Sequence, residues 1–317
     1  MPRSRYRRPD TPSGRLVLTV RDVEILRLVH NHRFVQAEHL HPLVFVGRSL
    51  RSVQKRLQKL WHHGYLDRFY VPYTLDGLRR PTAEAATPAY ALGELGVTAL
   101  ARAVDRHESV LAERVRPMEA APVTLAHHLI VTDLLASIEA ACKAHPSVGT
   151  VETEHEHWLW KKLARRGTAS SVPIVPDGVI TLRGGPRSAP ETWYVEIVRA
   201  GVSGGNDSLL AKMRRYLALR DAGAFRETYG HPHLRGVLFA APTEERARRL
   251  RALAASLATG RRFFAFTHYE HREADRAVKR FRPETVLGVG WTDGAGGVLR
   301  LGNPGERRAE GDAAAQP

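Results

Sequence analysis

The sequence predicts an α+β protein in two parts joined by a long helix, and three observations predict it. Residues 19 to 64 hold three segments with apolar residues at helical spacing, followed by short β-like runs. Residues 124 to 145, "TLAHHLIVTDLLASIEAACKAH", form the longest clean helical pattern in the chain. Residues 147 to 270 then alternate strand-like and helix-like segments, the order of a small mixed α/β sheet flanked by helices. At 317 residues the chain is long enough for two domains with separate cores.

The first helix opens in "LTVRDVEILRLVHNHRF", where Thr19 is placed as an N-cap. Asp22 stands at the third helical position and can face the free amides of the first turn. Val23, Leu26 and Val29, with Ile25, make its buried stripe. A short helix follows in "VQAEHLHPLVF" and is interrupted at Gly47. The third, "RSLRSVQKRLQKLWHHG" (48–64), puts Leu50, Val53, Leu57 and Leu60 on one side and Arg51, Gln54, Lys55 and Gln58 on the other. Gly64 stops it, and His62 and His63 at its end are read as structural imidazoles that suit the dipole. "YLDRFYVPYTLD" supplies two β-like runs for a hairpin. "AYALGELG" (89–96) is its returning strand, ahead of a helix within 93–116 that Pro117 closes. The loop "DGLRRPTAEAAT" carries Arg79 and Arg80 at the hairpin tip. This order is a winged helix-turn-helix, residues 16–108, preceded by a basic flexible arm, residues 1–15.

A third helix with such an open face can enter the major groove and meet phosphates and base edges. Arg51, Lys55 and Gln58 are the principal candidates, with Gln54 on the same face, Arg48 and Lys59 on phosphates, and Arg79 and Arg80 on the backbone beside the wing. Charge points the same way. The formal net charge is +15, and residues 1–70 hold 14 Lys or Arg against 5 Asp or Glu. Charge so concentrated suits a polyanionic partner, double-stranded DNA, better than composition alone. The plainer readings are a solvated basic face or a winged helix used for protein contacts.

Linker helices occupy residues 109–146. Leu125, Leu129, Leu134, Leu135 and Ile138 give the long helix a broad apolar face that would suit packing on both domains or a homodimer contact. His127, His128 and Asp133 on it lack a further ligand at suitable spacing, so a metal site is not expected there. The single cysteine, Cys142, allows no intrachain disulfide and no thiolate site. The basic start leads into no apolar segment, and no uninterrupted run of 18 apolar residues occurs. A cytoplasmic protein without a membrane partner is expected.

The second domain, residues 147–301, opens with "SVGTVETEHEHWLWKK", read as an alternating strand with Glu152, Glu154 and Glu156 on one side. "PIVPDGVITLR", the turn "GGPRSAPE" and "TWYVEIVRA" form a hairpin that brings Asp177 near Glu196. "LLAKMRRYLALRDAG" is a helix with Lys212 and Tyr216 one turn apart, and strand, helix and strand follow. "GVLFA" is apolar throughout, as a strand buried on both faces would be. The tail, residues 302–317, has the composition of a disordered segment. No phosphate-binding Gly-x-x-x-x-Gly-Lys loop occurs, so ATP use is not expected.

These pieces, in this order, resemble the replication-relaxation family of plasmids, phages and integrative elements. The marks are "LTVRDVEILRLV", "VQKRLQKLWHHGYLDR", "AYALGELG", "HHLIVTD", "PDGVI", and "YVEIVRA" followed by "AKMRRY", over about residues 16–240. The resemblance implies a winged-helix DNA-binding protein tied to replication, relaxation or transfer. The second domain also resembles the restriction-endonuclease-like PD-(D/E)xK fold. That likeness implies metal carboxylates at Asp177 and Glu196 and a lysine at position 198, where this chain has Val198. Lys212 could reach back as a migrated substitute. Mg²⁺ would then bind through Asp177, Glu196, a backbone carbonyl and waters, with Glu154 as a third carboxylate. The ordinary readings are a turn or strand cap for Asp177, an outward strand position for Glu196 and a solvated lysine. Two functions follow: a DNA-binding regulator with no required cofactor, or a Mg²⁺-dependent DNA endonuclease or nickase.

Overall fold

The computed structural model describes residues 8, 15–70, 88–105, 122–165, 174–184, 189–199, 206–231, 233–257, 259–269, 281, 283–288 and 290–301. Arg79 and Arg80, nearly all of the basic arm, the segment 106–121 and the tail 302–317 lie outside them. The chain divides into two compact units, Met1–Ala136 with His271–Arg280, and Ser137–Glu270 with Phe281–Pro317.

The first unit contains α1 (Val20–His32), α2 (Ala37–Val44), α3 (Leu50–His62), β1 (Leu66–Tyr70), β2 (Pro88–Leu92), α4 (Glu94–Ala103) and the start of α5 (Pro122–Ala144). Thr19 and Asp22 form a capping box: Thr19 Oγ1 accepts from the Asp22 N–H at 3.3 Å, and Asp22 Oδ2 accepts from the Thr19 N–H at 2.7 Å. The buried stripe of α1 is Asp22, Ile25, Leu26, Leu28 and Val29, and Val23 is only half-buried. The stripe thus begins one turn earlier than its apolar residues suggest, on a charged side chain. In α3, Val53, Leu57, Leu60 and Trp61 are buried. The helix ends at Gly64, whose φ of 79° few other residues adopt. There the Tyr65 N–H donates to the Leu60 carbonyl at 3.0 Å and the Gly64 N–H to that of Trp61 at 3.1 Å, a Schellman closure.

β1 and β2 pair antiparallel from Leu66 opposite Leu92 to Tyr70 opposite Pro88, and Val35 bridges Tyr90. Phe34, Ala89, Ala91, Leu125, Ala126 and Leu129 make one buried cluster, with Thr132 Oγ1 donating to the Phe34 carbonyl at 3.0 Å. Asp133 faces the buried His39 at 3.5 Å. The stretch Thr124–Ala144 is long and apolar enough to cross a membrane by length and composition, but most of it is buried, as in a core helix.

The second unit contains β3 (Thr150–His155), α6 (Glu156–Arg165), β4 (Gly178–Arg183), β5 (Glu191–Ile197), α7 (Asn206–Asp221), α8 (Ala224–Tyr229), β6 (Leu234–Ala241), α9 (Glu244–Ala255), β7 (Phe264–His268), α10 (Pro283–Val286), β8 (Trp291–Asp293) and β9 (Val298–Leu299). Its seven strands lie in chain order: β3, β4 and β5 antiparallel, β5, β6 and β7 parallel, then β8 and β9 antiparallel. Helices make the two parallel crossovers, as such connections require. Val179, Tyr194, Val237, Phe239 and Phe264 of the sheet share one core with Leu159, Met213, Tyr216 and Leu250 of the helices. Val237–Ala241 is buried throughout. One element departs from expectation. The strand at "TVETEHEH" ends at His155, and Glu156 opens a helix instead of continuing the alternation, because Leu159 and Leu163 find the core at helical spacing.

Candidate functional site

Two surfaces gather the residues singled out by sequence. On α3, Arg51, Gln54, Lys55, Gln58 and Lys59 are all exposed, and Arg48 precedes them in the turn from α2, also exposed. Ser49 caps the helix by accepting from the Ser52 N–H at 3.3 Å. One cation of the helix is spent internally. Arg56 grips the fully buried Asp22 carboxylate through two nitrogens, Nε at 2.6 Å. Burial alone would raise the Asp22 carboxyl, but the Arg56 and Thr19 hydrogen bonds outweigh it and hold it below the ordinary carboxylate range. At the far end of α3, Arg8 donates to the carbonyls of Trp61 (2.9 Å) and Leu66 (2.5 Å) and to Asp67 (2.9 Å), and Arg68 lies over the Trp61 ring. Burial, with the nearby Arg68 charge, pushes His62 down, which suits a structural imidazole. The Asp22–Arg56 lock escaped sequence reading: its partners are 34 residues apart, and neither type advertises burial.

The second surface is built by strand register. His155 of β3 pairs with Gly178 of β4, which pairs with Val195 of β5. The next residues, Glu156, Asp177 and Glu196, therefore stand at one end of three neighbouring strands. The Glu156 N–H donates to the Asp177 carbonyl at 3.0 Å, and Asp177 Oδ2 accepts from the Ile197 N–H at 2.7 Å. Asp177 thus caps the end of β5, while its carboxylate and that of Glu156 offer oxygens within 4.8 Å of each other.

Glu196 is 2% exposed, on the side of β5 that α7 covers. Lys212 donates to Oε2 and Tyr216 to Oε1. Burial pushes its carboxyl up to about 7, the Asp177 charge adds to that rise, and Lys212 offsets part of it. Burial would lower the Lys212 ammonium, but Glu196 and Asp177 outweigh it and leave it raised. Tyr216 is raised by burial and by Glu196. Val198, where the resembling fold has its lysine, is 5% exposed within the core, its N–H on the Ala240 carbonyl at 2.9 Å. A lysine there would be buried, so the only ammonium on Glu196 among the described residues comes from α7.

Glu154, counted as a third carboxylate, is engaged elsewhere. Burial favours its protonation, but His231, 3.6 Å away, and Lys162 outweigh that and keep it ionised. His231 Nδ1 in turn meets the Tyr194 hydroxyl at 3.2 Å. Glu156 is the acid that register brings to Asp177. An alternating strand would set Glu156 on the same side as Glu154 and give no reason to prefer it as a ligand; the helix that opens at Glu156 does.

Together these features define an α+β protein with helices and a small β-hairpin in one unit and a carboxylate-lined mixed sheet in the other. The chain belongs to the replication-relaxation family, which matches residues 26–234, from inside α1 to the first residue of β6. Neither curated proteins nor solved structures returned a match.

Proposed function

We propose that the chain is a double-stranded-DNA-binding protein of a plasmid or mobile element, acting in replication, DNA relaxation or transcription control. The observation that supports this best is the open face of α3, where Arg51, Gln54, Lys55, Gln58 and Lys59 are exposed together on a helix anchored by Asp22 and Arg56. In this reading α1 to β2 form a winged helix-turn-helix domain within residues 16–108, and α3 enters the major groove. Membership of the replication-relaxation family supports a nucleic-acid partner. A homodimer would set two copies of α3 one duplex turn apart and select an inverted repeat. The protein works in the cytoplasm. The test is duplex binding by the Arg51→Ala/Lys55→Ala variant. Affinity should fall, and the slope of log K against log salt should shrink by about 2, one phosphate contact per cation. Affinity and slope both unchanged would mean that α3 does not face DNA.

A second reading, a Mg²⁺-dependent DNA endonuclease or nickase, is favoured by Glu156 and Asp177, whose carboxylate oxygens lie within 4.8 Å of each other at the sheet end that also carries Glu196. Their hard anionic oxygens suit Mg²⁺, which when bound would polarise a scissile phosphate and activate water. Asp177 and Glu156 would hold the ion, and Lys212 would balance charge at Glu196 and reach the phosphate. Supercoiled, linear and forked DNA incubated with Mg²⁺ or Mn²⁺ separates the two readings. Scission by the wild type that Asp177→Ala abolishes, with binding retained, establishes a nuclease. Binding without scission leaves the second unit, a restriction-endonuclease-like scaffold in either reading, as a partner or DNA-gripping module.

A further inference from the structure

The turn between α2 and α3 carries a side chain that its position does not call for. The Arg48 N–H donates to the Phe45 carbonyl at 2.9 Å, and Gly47, at φ 75°, supplies the left-handed corner. His41 Nε2 donates to the Arg48 carbonyl at 2.6 Å and ties the turn to α2. The other central residue is Val46, 73% exposed, whereas its neighbour Phe45 is buried. Turn tips favour Gly, Pro, Asn, Asp and Ser, not an aliphatic side chain in water. Val46 does not stand alone. Val17 and Val20 are 70% and 90% exposed, and these three are the most exposed large hydrophobic side chains among the described residues. All belong to one end of the helical unit: Arg56 of α3 donates to the Val17 carbonyl at 3.3 Å, and the Arg21 guanidinium carbon lies 5.3 Å from the Phe45 ring centroid. The open face of α3 begins at the same end. Arg48, Arg51 and Lys55 are exposed there, and their side chains pair with no carboxylate among the described residues. Gln54 and Gln58, also exposed, stand one turn apart on that face.

Unpaired cations, exposed amides and an aliphatic tip at the start of one helix match an A·T pair in the major groove. Phosphates take the cations, adenine N6 and N7 take a glutamine amide, and the thymine C5-methyl is the apolar group that the groove presents. Residues at the N-terminus of a groove-bound helix are the ones that reach base edges. We infer that Val46 contacts a thymine methyl, so that α3 selects duplex sites with an A·T pair beneath its N-terminus. An apolar protein segment would cover the valines but leave the cations and glutamines unmet. An anionic membrane would take the cations and valines but not the amides. The inference rests on the α3 reading above and adds the base that α3 prefers.

The test enriches duplexes from a random-sequence pool on the full chain, then remakes an enriched duplex with uracil at each thymine in turn, which removes only the methyl. Affinity is read by anisotropy. At one thymine per bound α3 the wild type should bind the uracil form about four-fold more weakly, the order expected for one buried methyl. Val46→Ser, which suits the turn, should bind the two forms equally at that position, and Val46→Ile should restore the preference. The urea midpoint of Val46→Ser should match that of the wild type, since the side chain is exposed. Equal affinity at every thymine, enriched duplexes with no recurring thymine, or a preference that survives Val46→Ser overturns the inference and leaves the α3 reading standing. The Arg51→Ala/Lys55→Ala variant separates the two: it should weaken both forms alike and keep their ratio. A wild type that binds no duplex sinks both.

Discussion

A carboxyl in the middle of a buried strand survives only if both oxygens find partners, and Glu196 finds Lys212 and Tyr216. Its folded pKa, raised to about 7 from 4.5 by burial and Asp177, has a thermodynamic consequence. The folded chain keeps a proton that the unfolded chain has released, so this group's stabilising contribution is full below pH 4.5 and is lost as pH rises toward 7. Urea midpoints of Glu196→Gln, measured across that window, should show a shallower decline than the wild type. Asp22 has the opposite sign. Its depressed pKa contributes stability above the unfolded value of 3.8 that disappears as pH falls. Asp22→Asn removes the buried charge opposite Arg56 and half of the capping box, and should cost about 3 kcal/mol by denaturant unfolding at neutral pH. A loss under about 1 kcal/mol would mean that Arg56 finds water as readily as it finds Asp22.

At the scale of elements, the third helix could be read closely from sequence because its signals are local. Hydrophobic spacing fixed which side is buried, and Gly64 marked its end. Gly64→Ala should cost about 1–2 kcal/mol for forcing a Cβ into φ 79°, with no steric addition, since the nearest atom would be Leu95 Cδ1 at 3.6 Å. Thermal or denaturant unfolding of that variant checks it. The first helix was read less well. Its stripe runs through Asp22, Ile25, Leu26 and Val29, and a search for apolar residues passes over the aspartate. "TVETEHEH" failed for another reason. Three glutamates at alternate positions fit a strand, yet Leu159 and Leu163 repeat at four, and the core they reach decided the switch at Glu156.

For the molecule as a whole, the net charge of +15 predicts strong salt dependence of any DNA complex. If the four exposed cations Arg48, Arg51, Lys55 and Lys59 each engage one phosphate, affinity should fall about 10²-fold between 50 and 200 mM salt. Filter binding or anisotropy across that range measures it, and a flat response would point to a protein partner instead. The sequence by itself determined the α+β order, the cationic face of α3, the hairpin that delivers Asp177 and Glu196, and the family, because each depends on local periodicity, turn chemistry or motif order. Only the tertiary structure decided which charges are spent internally. Arg56 turns to Asp22, Lys212 and Tyr216 close on Glu196, and Glu154 leaves for Lys162 and His231 while Glu156 takes its place beside Asp177. Those pairings join residues distant in the chain, and the burial that makes each worth forming exists only once the core has assembled.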